Sequence, residues 1–161
     1  MVRSEEERRL YLLDHYWDRV DFSEPGIERD TLFITRSLVD YLGLSKGVDE
    51  ARRRTAARQL VGQAERNPAA LSLLMSSLSA LLYDPTSPRY DETLYLPFVE
   101  AAMGSDSLPV AELDRLAFAC EQIRKNYPGT AATDFSYSDV EGRAHHLRGL
   151  YDTEPILIFF F

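Results

Sequence analysis

The feature that most limits what this chain can fold into is a change of pattern at Asn126-Tyr127-Pro128-Gly129. Before it, apolar residues recur every three or four positions, the spacing of amphipathic helices. After it the spacing shortens towards two, which is the period of a strand. A chain of 161 residues holds one ordinary domain, or a domain with a short appendage. The break therefore predicts a mainly α fold: a bundle of about six helices over residues 1–128, then a partial β element over 129–161.

Local signals place the helices. Ser4 before Glu5-Glu6-Glu7 is a helix start, with anions at the positive end of the dipole. Leu10, Leu13, Trp17 and Val20 continue the stripe, and Ser23-Glu24-Pro25-Gly26 breaks it. A second helix is expected from about Asp30 to Leu42, with Gly43 as a left-handed stop, and a third over roughly 48–66. Asn67-Pro68 opens a fourth, whose Leu71, Leu74, Met75, Leu78, Leu81 and Leu82 cover more than one face and predict a central position. Tyr83 to Pro88 reads as a turn. A fifth helix spans about Asp91 to Met103, with Pro97 as a kink or break, and Ser107-Leu108-Pro109 opens a sixth. Leu113, Leu116, Ala117, Cys120 and Ile123 are its inward set. Trp17, Leu74, Leu78, Leu116 and Phe118 are expected to be buried.

Charge and motifs narrow the functions. The net charge of −8 opposes binding to a nucleic-acid backbone or an anionic membrane surface. Arg52-Arg53-Arg54, beside Asp49 and Glu50, is expected to form a solvated helix face. The single cysteine, Cys120, excludes an intrachain disulfide and suits core packing. No Gly-rich phosphate loop, nucleophile elbow or metal-ligand spacing occurs, so no catalytic, cofactor or metal residue is assigned. His145 and His146 would point to opposite faces of a strand, a poor geometry for a metal. His15, near Asp14 and Asp18, is read as an ordinary surface residue rather than half of an acid–base pair.

Two clusters are candidates for an interaction surface. Trp17, Asp18, Asp21 and Phe22 either lock the first helix onto the bundle or line a groove. Tyr83, Asp84 and Arg89 belong to a turn that can present recognition groups. The acidic start is not a signal peptide as it stands, and no segment reaches the ~18 apolar residues of a membrane span. The protein is then cytoplasmic, or an export signal precedes this numbering; membrane attachment would need a lipid anchor from outside these residues.

The last third is short and β-like. Asp134 to Ser138 alternates, Glu141-Gly142 turns, and Arg143 to Leu147 returns as a partner strand. Ile156-Leu157-Ile158-Phe159-Phe160-Phe161 is a continuous apolar run of the kind found in central strands. Such a strand needs neighbours, so the sequence is expected to continue beyond Phe161. For these residues three outcomes are open: disorder, folding back onto the helical domain, or pairing with the same segment of a second copy. A homodimer through this segment is the favoured one.

Gly129, Ala132, Asp134-Phe135, Asp139-Val140-Glu141-Gly142, Leu147, Leu150 and the run 156–161 fall in a recognisable order. In that order they resemble the N-terminal edge of the bacterial envelope thioredoxin-like thiol-disulfide oxidoreductases of the TlpA and ResA type. An extra residue between Ala132 and Asp134, and Tyr151 to Glu154 in place of a Lys-containing loop, depart from the pattern. The helical part is similar to a domain of unknown function that precedes thioredoxin folds in some envelope proteins. His15-Tyr16-Trp17-Asp18, Asp21-Phe22, Asn67-Pro68, Leu82-Tyr83-Asp84-Pro85, Ser87-Pro88 and Asn126 to Gly129 carry that similarity.

The resemblance implies a redox pair just after the last strand, beyond Phe161, so no catalytic residue is carried over. It implies a non-catalytic accessory module of the bacterial envelope or periplasm, whose partners are protein clients or its own thioredoxin-like domain. Two alternatives stay open: a thiol-disulfide oxidoreductase in the full-length protein, and a stand-alone helical interaction domain without a redox role.

Overall fold

The computed structural model describes residues 4–125, 127–131 and 133–150. These divide into two compact units that meet in sequence at Arg124 and Lys125. The first carries six helices: α1 Glu5–His15, α2 Thr31–Leu44, α3 Glu50–Ala64, α4 Pro68–Leu82, α5 Glu92–Met103 and α6 Val110–Lys125. The second carries strands β1 Ser136–Ser138 and β2 Ala144–His146. The mainly α fold with a partial β element is the one the sequence predicts.

Helix starts are written in single residues. The Glu7 amide donates to Ser4 Oγ at 3.1 Å and the Ser4 amide to Glu7 Oε2 at 2.8 Å, a reciprocal capping box. Asp30, Asp49 and Asp91 cap α2, α3 and α5 by accepting from the amide three residues on. Asn67 Oδ1 accepts from Ala69 and Ala70, with Pro68 preset for the first turn of α4.

Helix ends depart from expectation. α1 stops at His15, because successive turns swing Trp17 inward against Tyr41 of α2 and Phe22 inward against Trp17. α2 runs through Gly43, and the left-handed glycine is Gly47, at φ +70°. α5 continues through Pro97, which is buried.

The core of this unit is apolar and centred on α4, which packs against α2, α3 and α5. Leu71, Leu74 and Leu78 are fully inaccessible, as are Ile34 and Leu38 of α2 and Val99 of α5. α6 buries Leu116, Ala119, Cys120 and Ile123. Ala117 and Phe118 are exposed, Phe118 at 62%, contrary to the sequence reading. The buried positions 116, 119, 120 and 123 form one helical stripe; residue 118 lies off it and turns outward. Trp17, Leu74, Leu78 and Leu116 are buried as expected.

The arginine run also differs from a solvated face. Arg52, Arg53 and Arg54 are half-buried; Arg52 pairs with Asp14, and Arg54 with both Glu50 and Glu100. Arg124 binds the other oxygen of Glu100 at 2.7 Å. The cause is tertiary: α3 packs on α5, which brings Glu100 to Arg54.

In the second unit β1 and β2 pair antiparallel, Tyr137 opposite His145. Gly142, at φ +79°, makes the turn. Asp139 clamps it: Oδ1 accepts from the Glu141 and Arg143 amides, while Oδ2 meets Arg143 Nε at 2.8 Å and His145 Nε2 at 2.9 Å. These bonds, His145 foremost, hold the Asp139 carboxyl far below its ordinary range. The expected strand over 156–161, the pairing of two copies through it, and Ala132 lie outside the described residues.

Candidate functional site

One face of α4 meets the first turn of α6 and is otherwise separated from that helix by a groove. Its residues recur at helical spacing: Ser72, Met75, Ser76, Ser79 and Ala80, followed by Tyr83 just past the helix end. Across from it α6 presents Glu112, Arg115, Leu116 and Ala119, with Asp114 and Phe118 beside them. Between the two lies a groove of about 700 Å³. Met75, Leu116 and Ala119 are buried and make its floor, whereas Phe118 and Asp114 stand exposed at its edge.

Both ends of the groove are built. At one, Ser72 Oγ lies 3.0 Å from each carboxylate oxygen of Glu112, tying the first turn of α6 to α4. At the other, Tyr83 stacks on Tyr95 of α5 with ring centroids 5.3 Å apart. Burial raises the pKa of both phenols, helped at Tyr83 by the charge of Glu92, so both are neutral hydroxyls. Asp84 accepts from the Thr86 amide and hydroxyl, which lowers its pKa and keeps it charged.

The structure splits the surface residues expected from the sequence. Tyr83 and Asp84 line the groove, and Arg89 is exposed in the same turn without lining it. Trp17 and Phe22 are buried at 4% and 1% and form an aromatic cluster with Tyr16 and Tyr41. Asp18 and Asp21 remain outside. Asp18 meets His15 Nδ1 at 2.7 Å, and Asp21 accepts from the Ser23 amide and hydroxyl. Cys120 is a free thiol, 4% exposed, on the core stripe of α6.

Sequence reasoning missed the α6 side of the groove. Phe118 had been placed in the core, and Glu112, Asp114 and Arg115 were not singled out. The available signal was Ser72, Ser76 and Ser79, hydroxyls three and four apart on a helix whose other residues are apolar except the buried Ser77. Among the described residues, no three His, Cys, Asp or Glu side chains are placed to share a metal ion. No described helix is long and apolar enough to cross a membrane.

The chain is thus a grooved helical bundle followed by a β-hairpin element. Its residues 1–126 match the family described as a domain of unknown function, DUF5106, and the chain belongs to that family. No curated protein matches it. Among solved structures, a thioredoxin-like protein from Bacteroides caccae is similar over 92% of this chain, with 27% identity and a TM-score of 0.81. This chain spans 53% of that protein's length. The likeness fits a thioredoxin-like relationship.

Proposed function

We propose that this chain is the non-catalytic accessory module of a thioredoxin-like thiol-disulfide oxidoreductase of the bacterial cell envelope, of the TlpA and ResA type. The observation that carries the reading is the match to the Bacteroides caccae protein, in which a region like this one makes up about half of a larger thioredoxin-like chain. The position of Cys120 supports it. A thiolate must reach a client's disulfide sulfur to exchange with it, and this sulfur is packed into the face of α6 that holds the bundle together. In this reading the redox dithiol comes from outside these 161 residues, and the helical unit supplies a binding surface.

Insulin reduction tests the assignment. The purified chain and its Cys120→Ser variant should both leave insulin's disulfides intact. Turnover by the chain above that variant would make Cys120 a working thiol and overturn the proposal.

A further inference from the structure

The α4–α6 groove has a defined length, an apolar floor and an uneven charge, and together these select an occupant. From Ser72 to Tyr83 are eleven helical steps of about 1.5 Å, so the groove runs about 16 Å. An extended polypeptide rises about 3.3 Å per residue and would cross it in about five residues. Met75, Leu116 and Ala119 form an apolar floor, and Phe118 offers an aromatic face at 62% exposure. Three carboxylates, Asp84, Glu112 and Asp114, border the groove against one guanidinium, Arg115. Arg115 is also turned partly to its own helix, its Nε donating to the Ala111 carbonyl. The surplus is negative at the groove and negative over the whole chain, at −8.

We propose that this groove binds an unfolded client polypeptide through a short segment that combines an apolar anchor with lysine or arginine. The anchor fills the floor beside Phe118, and separate cations of the segment meet Asp114 towards the Glu112 end and Asp84 at the Tyr83 end. An unfolded chain exposes such segments, whereas a folded one buries the anchor. The carboxylates speed encounter and select sign, and the apolar floor supplies the larger share of affinity. This deepens the accessory-module reading and rests on it.

Fluorescence anisotropy tests the assignment with two labelled short peptides that share phenylalanine and leucine and differ in carrying two lysines or two glutamates. The lysine peptide should bind the chain at least tenfold more tightly, and less tightly as salt rises. Phe118→Ser should weaken binding about tenfold by removing one aromatic contact. Asp114→Lys should erase the preference between the peptides. Both side chains are exposed, so circular dichroism should report an unchanged fold. Amide shift changes on adding the lysine peptide to the unaltered chain should concentrate in α4 and α6. Equal binding of the two peptides, shift changes elsewhere, or indifference to both variants would overturn the assignment. So would light scattering showing a dimer that Phe118→Ser dissociates, because a second copy would then cover the groove. A chain that binds neither peptide yet stays inert towards insulin would remove the groove assignment alone and leave the accessory reading standing.

Discussion

The helical unit and the hairpin unit are held by different forces. In the first, apolar side chains from every helix enter one core, and α4 alone buries Leu71, Leu74, Met75, Leu78 and Leu82. In the second, Leu147, at 7% exposure, is the one buried apolar residue among those described, and both faces of the strands are largely open. Two strands of three residues have little stability from the ladder alone. Polar contacts to Asp139 take the place of a core. Bulk burial does not depend on which groups are charged, whereas a carboxylate clamp does. The two units should therefore respond to different perturbations.

The largest expected effect is in the core. Leu78→Ala should cost about 2–5 kcal/mol in chemical denaturation, because the site is fully enclosed and cannot collapse freely around a smaller side chain. A loss below about 1 kcal/mol would mean that α4 is not the centre of the bundle.

A smaller and more local effect separates the units. Asp139 has a depressed folded pKa, so its contribution is present above the ordinary aspartate value of 3.8 and is lost as pH falls below it. Cross-strand amide contacts between Tyr137 and His145, followed by NMR, should fade on that acid side while the helical spectrum persists. Asp139→Asn should show the same loss at neutral pH. Contacts that survive both changes would show that the backbone turn at Gly142, not the carboxylate, holds the hairpin.

The smallest effect sharpens the comparison inside the helical unit. Phe118→Ser should change stability by no more than about 0.5 kcal/mol, although its neighbours Leu116 and Ala119 are core residues. A cost of several kcal/mol would put Phe118 back in the core and close the groove.

How much of this was legible depended on the range of the interaction concerned. Ser4, Asp30, Asp49, Asn67 and Asp91 announce their helices, because a cap is a hydrogen bond to an amide two or three residues away. The hairpin was legible for the same reason, since Asp139, Gly142 and Arg143 are near neighbours. The candidate site was legible only in part. Tyr83 and Asp84 were singled out as turn residues, while Phe118, Asp114 and Glu112 gave no local sign that α6 would face α4 across a gap.

The sequence by itself determined where helices begin, that α4 would be central, and where the β element turns, because each follows from residues within a few positions or from one helix's own composition. Only the tertiary structure decided that Trp17 leaves the helical path for Tyr41 with Phe22 packed on it, that Arg54 crosses to Glu100, and that Phe118 rather than Ala119 looks out of α6. The physical reason is that a side chain's burial is a property of the surface opposite it. That surface comes from residues tens of positions away, and a period of 3.6 residues does not say which of two adjacent stripes will meet it.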